Sequence, residues 1–230
     1  MLLPQLTPGR LIRRYKRFLA DVELLDGSQV TVHCPNSGSM AGCATPGSNV
    51  LLSLSTKTTR KYCYTWELVE TDGYWVGINT GLPNRLTQEA IESGVISELQ
   101  GYTEIRPEVP YGRNSRIDLL LGGDTGLCYV EVKNVTLLRD TRALFPDAVT
   151  TRGQKHLHEL MRVVTEGHRG VTLFIVQRED ATSMSPADDI DPTYGQLLRQ
   201  ASEAGVELLA YQAVVTPAEI RVSRSLPIRL

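Results

Sequence analysis

The sequence predicts an α/β (α+β) protein in two parts, a small β-barrel in residues 1–82 and a mixed β-sheet flanked by helices in residues 83–230. Three observations support this division. Short strand-like segments separated by turn sequences fill residues 11–80 without a convincing helix. Strand and helix patterns alternate from residue 80 onward, as in α/β folds. Residues 1–66 carry a net charge of +5, which leaves −7 for the rest of the chain.

The first part contains five segments with strand character, joined by recognisable turns. Asp26-Gly27 and Thr71-Asp72-Gly73 are typical of β-hairpin turns. Five or six strands in about 70 residues predict a closed barrel. An OB-like barrel is the leading candidate, because that fold has five strands and often binds oligonucleotides; other small barrels remain alternatives. The predicted strands are 18–25, 30–34, 50–54, 65–70 and 74–78.

The second part mixes helical and strand patterns. The apolar residues of the helix predicted at 153–166 follow the i, i+3, i+4, i+7 spacing, and Thr151 with Gln154 resembles a capping box. The nearly all-apolar run at 171–177 predicts a strand buried on both faces. The other predicted elements are helices at 87–93, 94–99 and 192–204, and strands at 116–121, 127–134 and 206–214, with a glycine-rich turn at 122–126.

Composition narrows the class of protein. The chain has 230 residues, 41% hydrophobic and 22% charged, which is ordinary globular composition. No apolar run approaches the ~20 residues needed to cross a bilayer. The basic residues near the amino terminus follow a very short apolar stretch, the reverse of a signal peptide. We therefore expect a cytoplasmic protein without a membrane partner.

The sharpest functional signal is the strand pair that carries Asp118, Glu131 and Lys133. Residues two apart on a strand point the same way, so Glu131 and Lys133 share a face. Pairing of the two strands brings Asp118 opposite Glu131 within one residue of register. Two close carboxylates repel unless a cation lies between them, and oxygen ligands suit Mg²⁺ or Mn²⁺. Such a metal can bind a phosphate oxygen and acidify water, so the trio predicts a PD-(D/E)XK nuclease-type core. A solvent-facing salt bridge of Lys133 with one of the acids is the alternative.

Basic residues predict where nucleic acid would bind. Aromatic residues interleaved with these cations are typical of single-strand binding, since bases stack while phosphates pair with charge. Lys155 lies near the start of a predicted helix, where the helix dipole favours phosphate, and we expect it to take part in catalysis. The predicted nucleic-acid contacts are Arg13, Arg14, Lys16, Arg17, Arg60, Lys61, Arg116 and Arg152.

Several blocks of sequence resemble the sugar fermentation stimulation protein family of bacteria and archaea, over essentially the whole chain. They include RYKRFLAD at 14–21, HCPNSGSM at 33–40, SRID at 115–118, YVEVKNVT at 129–136 and FPDAVT at 145–150. The resemblance implies an OB-fold domain followed by a PD-(D/E)XK domain. It also implies DNA binding without strong sequence preference, and a regulatory role in maltose and other sugar metabolism.

The resemblance also assigns residues. The family's acidic and lysine positions fall on Asp118, Glu131 and Lys133, and an acidic residue ahead of the hairpin falls on Glu108. We therefore predict Asp118, Glu131 and Glu108 as ligands of Mg²⁺ or Mn²⁺. The predicted protein binds DNA, with RNA as the alternative partner and metal-dependent cleavage of DNA or RNA as the alternative function. The oligomeric state stays open, a homodimer being one option.

Overall fold

The computed structural model describes residues 1–57, 59–112, 115–124 and 126–230. Its first part contains six strands in the order β3-β2-β1-β4-β5-β6, and an additional pairing between β3 and β5 closes five of them into a barrel. The closure joins His33 and Thr65 in parallel. The predicted OB-like barrel is confirmed. The strands are β1 (Leu6–Tyr15), β2 (Leu19–Leu24), β3 (Gln29–His33), β4 (Asn49–Leu54), β5 (Tyr64–Thr71) and β6 (Tyr74–Gly77).

The barrel interior is filled by inward-facing residues of every strand. Leu11, Val32, Leu52 and Trp66 are essentially inaccessible to solvent. The Trp66 indole is therefore part of the core and is not exposed for base stacking, and its Nε1 donates to the Leu68 carbonyl at 2.9 Å. Phe18, by contrast, is 51% exposed beside the basic β1–β2 turn and keeps the exposure that base stacking requires.

The second part is built on a six-stranded mixed sheet in the order β15-β14-β12-β9-β8-β7. β12 pairs in parallel with both β9 and β14, and seven of its eight residues are buried, as the apolar run predicted. The elements are α1 (Pro83–Glu92), a 3-10 turn (Ser97–Leu99), β7 (Glu104–Tyr111), β8 (Ser115–Gly123), β9 (Gly126–Val135), β10 (Leu137–Arg139), β11 (Arg142–Phe145), α2 (Thr151–Thr165), β12 (Arg169–Val176), β13 (Ser183–Pro186), α3 (Pro192–Glu203), β14 (Glu207–Val215) and β15 (Ile220–Ser225).

Helices cover both faces of this sheet. Leu86 and Ile91 of α1 belong to one apolar cluster with β8, β9 and β12. Leu157 of α2 and Leu198 of α3 belong to a second cluster on the other face. Strands β10, β11 and β13 form a separate small sheet. The predicted fold class is confirmed.

Six strands were not predicted, namely β1, β7, β10, β11, β13 and β15, and local sequence explains the first two omissions. β1 contains Pro8 and Gly9, residues that usually break strands. A Cβ at Gly9 would lie 2.9 Å from the Glu23 carbonyl oxygen, so close packing against β2 requires the glycine. β7 is an edge strand with a mostly exposed pattern, and it carries Pro107 and Pro110, which sheets tolerate at their edges.

Helix boundaries also differ from the prediction. α1 begins at Pro83 rather than residue 87, because proline is favoured in the first turn of a helix. The predicted helix at 94–99 is reduced to the 3-10 turn at Ser97–Leu99. Thr125 of the predicted glycine-rich turn lies outside the described residues.

The predicted capping box at the start of α2 is wrong. Thr150, not Thr151, caps this helix, and its Oγ1 accepts from the Gly153 amide at 3.0 Å. The Gln154 side chain donates to both carboxylate oxygens of Asp191, at 3.0 and 3.1 Å. Asp191 is also the N-cap of α3 and accepts from the Thr150 amide at 2.8 Å, so one carboxylate holds the starts of both helices together.

The barrel and the second sheet share an apolar core. Leu51 and Leu68 of the barrel lie in the same cluster as Leu86 and Ile91 of α1. The amino group of Met1 donates to the Ile220 carbonyl at 2.9 Å, which ties the start of the chain to β15. The predicted boundary at residues 82–83 lies at the start of α1, after β6 has ended at Gly77. In the described ranges, no helix has the length and apolar character needed to span a membrane.

Candidate metal centre and interdomain cleft

The centre lies where strands β8 and β9 separate. They pair from Gly123 and Gly126 as far as Leu119 and Val130. One further step in the same register would place Asp118 opposite Glu131. There the ladder ends, and the Val132 amide donates to Asp118 Oδ2 at 2.7 Å. The Asp118 side chain thus takes the place of a main-chain carbonyl as the acceptor for the Val132 amide. Asp118 therefore lies at the point where β8 and β9 stop pairing.

Glu131 is buried at this point, with 3% of its side chain exposed. Its Oε1 accepts from the Lys133 ammonium at 2.7 Å and contacts Nδ1 of His156. The Lys133 Nζ lies 3.3 Å from the same His156 nitrogen. The second oxygen, Oε2, is buried without a hydrogen-bond partner in the part of the chain that the structure describes. Because only 11% of Lys133 is exposed, this is not the solvated salt bridge considered as the alternative.

The two carboxylates differ in their electrostatic environment. Burial, and then repulsion by Glu131, raises the pKa of Asp118 to about 6. Burial also disfavours ionisation of Glu131, but the charge of Lys133 and the hydrogen bond with His156 outweigh it and lower the Glu131 pKa. The charge of Lys133 therefore keeps the pKa of Glu131 low but does not offset the rise in the pKa of Asp118. A further positive charge would lower the pKa of Asp118 toward its ordinary value.

Asn84 joins Asp118 to the third predicted ligand. Its Nδ2 donates to Asp118 Oδ1 at 3.0 Å and to Glu108 Oε1 at 3.2 Å. Glu108 is exposed and has a positive φ of 54° on β7. Within the described ranges, no three His, Cys, Asp or Glu side chains stand close enough to form a complete metal-ligand group. Glu108 is thus linked to Asp118 through the Asn84 side-chain amide. Its role as a metal ligand stays a prediction.

Two residues of this centre were not assigned there from sequence. Asn84 was not predicted to lie in this centre, although Pro83 before it marks a helix start. His156 was not predicted there either. It faces Glu131 from α2, one helical turn beyond Arg152, whose Nε lies 3.4 Å from His156 Nε2.

An open cleft of about 800 Å³ separates the barrel from this centre. Asp118, Lys133 and Glu108 line one side, and Arg14 and Arg17 line the other. The two sides are linked, since the Met40 amide of the barrel loop donates to Asp147 Oδ2 at 3.0 Å. The cleft is therefore bounded by acids and a lysine on the sheet side and by arginines on the barrel side.

The Arg14 guanidinium is engaged by backbone carbonyls of the barrel. It donates to the carbonyls of Arg17, Asn36, Gly38 and Ser39 at distances between 2.8 and 3.2 Å. It thereby holds the loop that follows β3. Arg17, in contrast, is exposed in the β1–β2 turn with a φ of 62°. Both remain predicted DNA contacts, in different structural settings.

The other predicted cations of the barrel have local partners or lie in turns. Arg13 pairs with Asp21 at 2.8 Å, and Arg60 donates to Thr65 Oγ1 at 3.1 Å. Lys61 lies over the Tyr62 ring, 5.4 Å from its centroid. Lys16 lies in the β1–β2 turn with a φ of 50°. Their contacts with nucleic acid stay predictions.

The remaining predicted cations gather around a second cavity of about 480 Å³. Arg116, Arg152 and Lys155 line it together with Ser115 and His156. Glu108 lines both this cavity and the cleft. Lys155 thus lies beside the acidic centre rather than in the cleft wall, and its catalytic role stays a prediction.

Comparison with known proteins identifies relatives along the whole chain. Residues 81–219 match the family model described as Sugar fermentation stimulation protein RE domain, and residues 12–78 match the SfsA N-terminal OB domain. A sugar fermentation stimulation protein homolog from Pelobacter propionicus is 69% identical over 100% of both chains. One from Geobacter sulfurreducens is 66% identical over 99% of this chain and 98% of the relative.

A solved structure has the same fold. Pyrococcus furiosus SfsA in complex with Ca²⁺ superposes with a TM-score of 0.92 at 28% identity, covering 100% of this chain and 98% of that one. The resemblance inferred from sequence blocks is confirmed over both domains. The chain belongs to the sugar fermentation stimulation protein family.

Proposed function

We propose that this protein binds DNA in its interdomain cleft and holds a divalent cation, Mg²⁺ or Mn²⁺, at Asp118 and Glu131. The observation that carries the proposal is the buried Glu131 Oε2, which lacks a hydrogen-bond partner in the described ranges and belongs to a carboxylate close enough to Asp118 to raise its pKa. A buried carboxylate oxygen without a partner is unfavourable, and a hard cation is the ligand that oxygen donors prefer.

The electrostatics of the pair support a cation rather than another ligand. The raised pKa of Asp118 reflects burial and the charge of Glu131, both of which a divalent cation would counter. The related protein from Pyrococcus furiosus was solved in complex with Ca²⁺, which also favours oxygen ligands. Residues 12–78 match an OB domain, and OB folds often bind nucleic acid. The cleft places that domain opposite the acidic centre.

Hydrolysis of phosphodiester bonds is the second candidate function, and Lys133 favours it. When bound, a divalent cation supplies Lewis acidity toward a phosphate oxygen and acidifies water. Lys133 is oriented by Glu131 Oε1 and His156. Its ammonium can donate to an attacking water or stabilise charge that develops on the phosphate. Asn84 and the Val132 amide hold both oxygens of Asp118 in place.

The family name supplies the physiological context that we propose. DNA binding without strong sequence preference would serve regulation of maltose and other sugar metabolism, as the family's association with sugar fermentation suggests. Deleting the gene should alter growth on maltose. A plasmid copy carrying Asp118→Asn and Glu131→Gln would test whether the centre is needed for that effect.

Direct titration tests the metal centre. Metal-free protein is titrated with Mn²⁺ and, separately, with Mg²⁺ in a calorimeter at neutral pH. Asp118→Asn and Glu131→Gln should each weaken binding at least about tenfold, since each removes a charged ligand. The control is Glu92→Gln, which removes an exposed carboxylate at the end of α1 and should leave binding unchanged. Equal Mn²⁺ affinity in the wild type and in both centre variants would reject the proposed ligands.

A further inference from the structure

The second cavity combines several features of an anion site. Arg116 and Arg152 line it from β8 and α2, and Lys155 lies one turn further along α2. One guanidinium donor of Arg116 is engaged by the Glu108 carbonyl at 3.2 Å, which holds the arginine at the rim shared with the cleft. Three cationic side chains around about 480 Å³ favour a compact, multiply charged anion.

Ser115 provides an independent observation. Ser115 lines the cavity, and only 8% of its surface is exposed to solvent. Its Oγ has no hydrogen-bond partner in the described part of the chain. A buried hydroxyl without a partner lowers stability. The N-terminal turn of α2, a 15-residue helix, adds a positive dipole end on the same side. An anion that accepts hydrogen bonds would satisfy the hydroxyl and the cations together.

We propose that this cavity is a phosphate subsite for the nucleic acid strand whose reacting phosphate lies at Asp118 and Glu131. The inference rests on the proposed function and adds the path of the strand. Glu108 lines both cavities, so a strand that enters through the cleft passes Glu108 and places a neighbouring phosphate between Arg116 and Arg152. That phosphate is either an internal linkage or the terminal phosphate of a strand end. Both sources offer the same oxygens to the site.

The test measures binding of short single strands by fluorescence anisotropy in EDTA, so that neither metal binding nor cleavage is required. Wild type, Arg116→Gln and Arg116→Lys are compared over a series of salt concentrations. Arg116→Gln should weaken binding about tenfold and reduce the slope of log K against log salt by about 0.7, the value for one phosphate on a single strand. Arg116→Lys retains the charge and should restore most of the slope.

Arg162→Gln is the matched control, because Arg162 is a half-exposed arginine on the same helix α2, paired with Glu159 and Glu166. It should leave affinity and slope unchanged. Strands with a hydroxyl, a 5′-phosphate or a 3′-phosphate end separate the two sources. If Arg116→Gln removes only the advantage of a terminal phosphate, the subsite holds a strand end; if it weakens all strands equally, the subsite holds an internal linkage.

Two results would overturn the subsite. One is an Arg116→Gln protein that unfolds like the wild type and binds every strand with wild-type affinity and slope. The other is an equal loss in Arg162→Gln, which would indicate a general charge effect. A wild type that binds no strand at all would instead reject the proposed DNA binding, and the subsite with it.

Discussion

The two walls of the interdomain cleft use their charged residues in different ways. On the barrel wall, Arg14 is engaged by four backbone carbonyls and stabilises the loop after β3. On the sheet wall, the charge of the buried Glu131 raises the pKa of Asp118, a single ammonium pairs with Glu131, and one Glu131 oxygen lacks a partner among the described residues. Arg14 shows that a charged residue predicted to bind a ligand can instead be engaged by the protein's own backbone. A buried carboxylate whose charge is not matched by nearby cations indicates where a ligand would bind.

The largest expected effect concerns Lys133 on the sheet wall. Purified protein with Mn²⁺ should cleave a DNA or RNA substrate, and Lys133→Ala should reduce the rate at least about 100-fold, the usual contribution of a positioned proton donor. Gel assays on single- and double-stranded substrates measure the rate. Lys57→Ala, which removes an exposed lysine that is not among the predicted nucleic-acid contacts, is the control. Activity that persists in Lys133→Ala would indicate a contaminating nuclease or a different site.

The next effect is the pH dependence of stability without metal. The pKa of Asp118 is about 6 in the folded protein and 3.8 when unperturbed, so the folded state binds more protons between these values. Stability should therefore fall as pH rises from about 4 to about 6 and remain low above it, by at most about 3 kcal/mol. Chemical denaturation in EDTA measures it. Asp118→Asn should remove this dependence, and the unfolding free energy above pH 6 should rise relative to wild type.

Asp140→Asn is the control for that measurement, since Asp140 is an exposed turn residue with a positive φ, which asparagine also adopts. It should retain the wild-type pH profile. A profile for Asp118→Asn that follows the wild type would contradict the assigned repulsion between the two acids.

Substitutions of Arg14 and Arg17 should differ in their effect on the stability of the barrel wall. Arg14→Ala removes charged donors from four carbonyls, two of these bonds being half-buried and two exposed, and should lower the unfolding free energy by about 1–3 kcal/mol. Arg17→Ala removes an exposed side chain and should change it by less than about 0.5 kcal/mol. If Arg17 contacts DNA, its removal lowers the salt slope on a duplex by about 0.9. Equal destabilisation by the two changes would contradict the difference between them.

The last prediction concerns the start of α2, in the cleft wall. Thr150→Ala removes the acceptor of the Gly153 amide and should lower the unfolding free energy by about 1 kcal/mol. Thr150→Ser keeps the hydroxyl and should lose little. Thermal or urea unfolding measures both, and Thr151→Ala tests the residue that sequence alone had selected as the cap. A greater loss at Thr151 than at Thr150 would contradict the observed cap.

Elements with strong local signals were predictable. The buried strand β12 and the hairpin of β8 and β9 follow from runs and alternation of apolar residues, which depend on neighbours in sequence. β1 and β7 were missed because their stability comes from pairing partners elsewhere, β2 and β4 for β1 and β8 for β7. Prolines in both strands also oppose a strand prediction.

The sequence by itself determined the family, the order of the two domains and the strand face that Glu131 and Lys133 share, because strand periodicity and turn chemistry are local properties. Only the tertiary structure decided that Asn84 bridges Asp118 and Glu108, that His156 contacts Glu131, and that Arg14 is engaged by a loop 22–25 residues away. Such contacts join residues far apart in the chain. The free energy of each depends on burial and on partners that only folding brings together.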